Sequence, residues 1–219
     1  MLQCMIKTRQ EFNYEDQLIK EIYDVFIEII DSVEDITVKT NSELAVVSLS
    51  AKNFKLFQSI LDCLYYGYYE SGMILLRSAY ENLVLMLYLA KNENDAEGWL
   101  RNKKAFRQSE LRQKVGFDNE LYKMLSNFFT HPNKIESLQT MYYGKGSDHY
   151  FKIYPRFEKE GFQESFNYLV SVYWLTVLQL QFIFKEKLWS RNDFKKRIDD
   201  MTKTVMKYID DNMINVKVS

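Results

Sequence analysis

The chain has 219 residues, 47% hydrophobic and 27% charged, which suits one substantial core, is short for two domains and excludes disorder. Its formal net charge of −1 excludes a global field that would draw nucleic acid or an anionic membrane, so any such binding must come from a local patch. Seven glycines and two prolines argue against long structureless loops.

The opening MLQCMIKTRQEFNYED has no apolar run of signal-peptide length. Cys4 and Cys63 are the only cysteines, with no CxxC and no histidine close in sequence. They form no zinc motif and fit a reduced, cytoplasmic setting. From residue 12 to 33, Leu18, Ile19, Ile22, Tyr23, Phe26, Ile29, Ile30 and Val33 recur at three- and four-residue steps, the mark of an amphipathic helix. A connection over 35–41 leads to a second helix, about Ser42 to Tyr66, with Leu44, Val47, Phe54, Phe57, Ile60, Leu61 and Leu64 inward and Gly67 as its stop. The third helix, about Tyr69 to Lys91, is apolar nearly all round, as a central helix is.

A fourth helix is predicted from about Asp95 to Val115, ended by Gly116. It is rich in Lys and Arg, and Lys103, Arg107 and Lys114 fall within about 40° on a helical wheel. That basic face is either solvated or a track for nucleic-acid phosphates. Phe106 and Tyr122 nearby read as core rather than base-stacking rings. A short fifth helix runs from an Asp118 N-cap through Phe129, with Pro132 as its stop. Residues 133–156 are the least regular, and MYYGKGSDHYFKIYP predicts an ordered loop or a small hairpin. Two helices close the chain, about Gln163 to Leu188 and Asp193 to Asn212. The apolar window 168–184 carries Ser171, Thr176, Gln179 and Gln181, and reads as a buried helix rather than a membrane span. The expectation is one all-α domain over 1–219, a bundle of about seven long, mostly antiparallel helices.

Glycine-rich phosphate loops, HExxH, the GxSxG elbow and di-iron patterns are absent from the sequence, so neither a metal nor a cofactor is expected. The polar residues in apolar surroundings are the candidates. Arg77 and Glu81 sit one turn apart on the central helix. They are either an ion pair tying helices together or part of a cleft with perturbed charges. His131, in LSNFFTHPN, either caps a helix C-terminus or acts as a general acid–base. Ser126 lies five residues before it, about 140° away on the helix.

Two segments carry a resemblance. GYYESGMILLRSAYENLVLMLYLA, followed by YKMLSNFFTHPN, resembles a group of uncharacterised bacterial all-helical proteins over about residues 66–133. That group is similar to the HEPN superfamily, helical bundles that include metal-independent ribonucleases of toxin–antitoxin, phage-defence and CRISPR systems. The resemblance implies a dimer in which an Arg, often followed by Asn, and a His a few residues on converge at the interface. Asn127 and His131 match the Asn and His, while Ser126 stands where the Arg belongs. Arg77 is then the candidate to supply the guanidinium that a transferring phosphate requires.

The expected function is therefore a HEPN-like binding or dimerisation module of a bacterial defence or toxin–antitoxin type system. It would be a homodimer with RNA or protein as its partner and no membrane. Two alternatives stand beside it: a metal-independent ribonuclease using His131 with Arg77, and a bundle with a small-ligand pocket lined by Arg77, Glu81 and Tyr80.

Overall fold

The computed structural model describes residues 2–34, 38–117, 119–127, 141–143, 149–151, 157–189 and 192–213. In chain order the helices are α1 (Leu2–Glu11), α2 (Asn13–Glu34), α3 (Asn41–Tyr65), α4 (Tyr69–Leu89), α5 (Glu93–Leu100), α6 (Gln108–Val115) and α7 (Asn119–Asn127). A two-stranded hairpin follows, β1 (Met141–Tyr143) and β2 (His149–Phe151). Then come α8 (Lys159–Ile183), α9 (Lys185–Leu188) and α10 (Asn192–Met213). The fold is an all-α bundle. The hairpin falls inside the segment expected to be irregular, with Met141 opposite Phe151 and Tyr143 opposite His149.

Contacts between helices fix their directions. Ser42 meets Leu89, Ser50 meets Met86, Asn53 meets Asn82 and Leu64 lies beside Gly72, so α3 and α4 run antiparallel. The tight connection between them needs Gly67 at φ 81°, a left-handed conformation that a Cβ disfavours. Thr40 opens α3 with a capping box: its hydroxyl accepts from the Glu43 amide, and the Glu43 carboxylate accepts from the Thr40 amide. Tyr65 packs near Phe162 and Phe57 on Tyr173, which makes α8 antiparallel to α3 and parallel to α4. The parallel pair is possible because α5 to α7 and the hairpin carry the chain back between them.

The core lies among α2, α3, α4 and α8. Ile22, Ile29, Ile60, Leu64, Leu76, Leu83, Phe162 and Phe166 are fully buried. On α10, Phe194, Ile198, Met201, Val205 and Tyr208 form the buried stripe, packed on α8 and α2. Helices α4 and α8 are both long and apolar enough to cross a membrane by length and composition, and most of each is buried inside the bundle.

Three expectations change. The N-terminal segment, where the sequence pattern marks no element, is helical. Its inner face is Cys4 and Thr8, and the Thr8 hydroxyl donates to the Cys4 carbonyl at 2.9 Å. Tyr23 and Leu44, expected inward, are exposed. The predicted fourth helix is two helices. After Leu100 the chain turns at Asn102, φ 56°, with Lys103 N–H bonded to Gly98 carbonyl and Asn102 N–H to Trp99 carbonyl. That pair of bonds is a Schellman stop, and asparagine tolerates the left-handed residue it needs.

Candidate functional site

Helix α4 is covered by α3 and α8 on its apolar sides and by α6 and α7 on the remaining one. Arg77 and Glu81 face that last side. Arg77 Nε donates to Glu81 Oε1 at 3.1 Å, and the two side chains keep 25% and 28% exposure. The pair is therefore open to solvent at its edge, not sealed in the core. Arg77 also reaches α7, where its Nη2 donates to the Tyr122 hydroxyl at 3.1 Å. Burial works against the charge on Arg77, but the bonds to Glu81 and Tyr122 outweigh it and hold the guanidinium above its ordinary range. It stays cationic at any working pH.

A second arginine arrives from α6. The Arg112 guanidinium carbon lies 3.5 Å from the centroid of the Tyr122 ring, and the residue is only 7% exposed. The Arg77 guanidinium carbon lies 5.3 Å from the same centroid. Tyr80, buried on α4, places its ring 6.4 Å from Tyr122 and 5.7 Å from Phe117. Gln108 Nε2 donates to the Glu81 carbonyl at 3.4 Å, which holds the first turn of α6 against α4. Gly116, at φ 73°, closes α6 and turns the chain toward α7.

The side chain of Ser126 is partly buried and lies one turn after Tyr122, on the same flank of α7. Beside it Leu125 is fully buried. Asn127 is the last residue of α7. Its side chain and all of His131 lie outside the described residues, as does Asp118, the expected N-cap. The structure thus brings together Arg77, Glu81 and Tyr80 with Tyr122, and sets Ser126 one turn from that cluster.

The basic face is corrected. Lys103 lies in the connection after α5, Arg107 is the N-cap of α6, and Lys114 lies within α6, so they do not share one helical surface. The stop at Asn102 breaks the wheel on which they lined up. Arg107 is highly exposed and 3.9 Å from Glu110. The Lys114 ammonium lies 5.1 Å from the Tyr88 ring. Phe106 and Tyr122 are partly buried against the core, as expected. Neither Arg112 nor the role of Tyr122 stands out in the sequence. A helix starting at Gln108 would have revealed Arg112, because Leu111 and Val115 then mark an inward flank that it borders.

The molecule so defined is a helical bundle with two arginines gathered on one tyrosine at the side of its central helix. Residues 43–173, more than half of the chain and the whole of this cluster, match a family described as a family of unknown function (DUF5677), and the chain belongs to that family. No curated protein and no solved structure matches it.

Proposed function

We propose that this protein is a HEPN-like helical module that binds RNA at the side of α4 covered by α6 and α7, as a cytoplasmic homodimer. The observation that supports this reading is the Arg77–Tyr122 bond. It joins the Arg–Glu helix to the Leu-Ser-Asn helix, the two segments on which the HEPN resemblance rests. Arginine forks match phosphate oxygens in shape and charge, and Arg77 keeps an edge in solvent where such a ligand can reach it. For the second copy, α8 offers exposed Leu175 and Phe182 beside a groove of about 300 Å³ lined by Leu83, Leu87 and Leu178. One patch thus carries both a projection and a recess, which two-fold pairing requires.

The test is fluorescence anisotropy of a labelled single-stranded oligoribonucleotide at low salt, with light scattering for mass. Micromolar binding that weakens with salt is expected, and Arg77→Ala should weaken it about tenfold or more. An absence of binding at tens of micromolar in low salt would end the RNA reading. Incubation with total RNA, with and without chelator, separates module from enzyme. Metal-independent cleavage lost in His131→Ala would move the assignment from binding to ribonuclease.

A further inference from the structure

We propose that Arg112 is a second anion-binding residue of this site, and that Arg77 and Arg112 together hold one phosphate group with Tyr122 as the spacer between them. This role rests on the phosphate-binding reading above and adds a residue that the sequence did not single out. Three features of the geometry carry it.

Both guanidiniums are indexed to one ring. Arg77 meets the hydroxyl of Tyr122 at 3.1 Å and Arg112 sits 3.5 Å from its centroid. With Arg77 at 5.3 Å from that centroid, the two guanidinium carbons are no farther apart than those two centroid distances laid end to end. A phosphate held by two arginine forks can close such a gap. Second, stacking uses the faces of a guanidinium, whereas its five N–H groups lie in its plane. The contact with Tyr122 therefore fixes Arg112 without consuming its donors. Third, the two residues differ in access. Arg112 is buried and held in place, a preorganised floor, whereas Arg77 is a quarter exposed and forms the rim. Among the described residues Glu81 is the carboxylate bonded to Arg77 in this cluster. Exposed Lys103 and Arg107, on the approach to α6, extend positive charge outward along the path of a polyanion.

The experiment uses two probes on wild type, Arg112→Met and Arg112→Lys. Methionine keeps the length and apolar stem, and lysine keeps the charge without the fork. The first probe is inorganic phosphate in a thermal melt at constant ionic strength, with chloride as control. The second is the labelled oligoribonucleotide. Wild type should be stabilised by phosphate. Arg112→Met should need at least tenfold more phosphate for the same shift, and should bind RNA about ten- to a hundredfold more weakly. Its slope of log affinity against log salt should fall by about 0.7. Should the methionine variant not fold, the lysine variant still decides, with about tenfold weaker binding expected.

A variant that melts earlier yet keeps the wild-type phosphate response and RNA affinity would overturn the proposal, since Arg112 would then be structural only. RNA binding by wild type with no loss in either variant would also overturn it while leaving the RNA reading intact. A phosphate response that depends on Arg112, without RNA binding by wild type, would support the phosphate site and remove RNA as its ligand.

Discussion

Replacing Tyr122 separates the two ways in which it is used. Tyr122→Phe removes only the hydroxyl that accepts from Arg77 at 3.1 Å. A hydrogen bond with a charged donor contributes about 1.5–3 kcal/mol, but Arg77 is partly exposed and water can replace the lost acceptor. The expected cost is about 1 kcal/mol. Tyr122→Leu removes the ring as well. The buried Arg112 stack at 3.5 Å is worth about 2 kcal/mol, and the more distant, wetter Arg77 contributes about 0.5 kcal/mol. The leucine variant should therefore lose about 3–4 kcal/mol in all. For a chain of this size about 2–4 °C of melting temperature goes with each kcal/mol. Far-UV circular dichroism melts should then show Tyr122→Phe down by about 2–4 °C and Tyr122→Leu by about 10 °C. If the two variants melt within about 2 °C of each other, the arginine stack does not hold α6 and α7 in place and the reasoning fails.

Three further predictions test how the bundle is built. Asn53 is fully buried, gives its amide to the Ala79 carbonyl at 3.0 Å and accepts from Asn82 at 2.8 Å. Asn53→Leu strands both partners and should cost about 2–4 kcal/mol in urea denaturation, with part recovered when Asn82→Leu is added; an equal or larger loss in the double variant would contradict this. Gly116 sits at φ 73° in open space, where an added Cβ would meet no atom within 4 Å, so Gly116→Ala should cost about 1–2 kcal/mol through backbone conformation alone and Gly116→Asn less; equal losses would show that something else is at work. At Asp16, burial pushes the carboxyl up, but Lys20, Tyr65 and Arg9 outweigh this and hold it below its ordinary value of 3.8. With the folded value below the unfolded one, the stabilisation is complete above the ordinary range and fades as pH falls through the folded value. The stability gap between wild type and Asp16→Asn should thus be widest near pH 7 and shrink below about pH 4, and a gap constant with pH would refute it.

The long helices were legible because each buries one stripe at helical spacing. Leu18, Ile22, Phe26 and Ile29 on α2 show it, as do Phe194, Ile198, Met201 and Val205 on α10. Helix α1 was not legible, because it docks through Cys4 and Thr8, and a threonine whose hydroxyl is satisfied by its own helix does not read as core. The split between α5 and α6 depends on a single left-handed asparagine within a run of good helix formers, a signal weaker than the glycine that ends α6. The Arg77–Glu81 pair stood out as charge within an apolar stretch. Arg112 did not, because in a basic segment one more arginine looks like surface. Its burial comes from the Tyr122 ring, a partner ten residues along the chain that arrives only when Gly116 reverses the direction.

The same arrangement explains why a ligand site belongs at this side of the bundle. Helices α5, α6 and α7 have 8, 8 and 9 residues, too short to be stable alone. Their order must come from docking on α4. Elsewhere on α4 that docking is apolar and complete: Leu76, Leu83 and Val84 are fully buried. At α6 and α7 it runs through Arg77, Gln108, Arg112 and Tyr122, groups whose charge is costly to bury and whose donors outnumber those that packing uses. Such a joint holds the helices with polar contacts and leaves positive charge at its rim. An anion bound there would bridge α4 to α6, so it would strengthen the joint as it binds. Ligand affinity and the docking of α6 and α7 are then two readings of one interaction, linked by the same arginines.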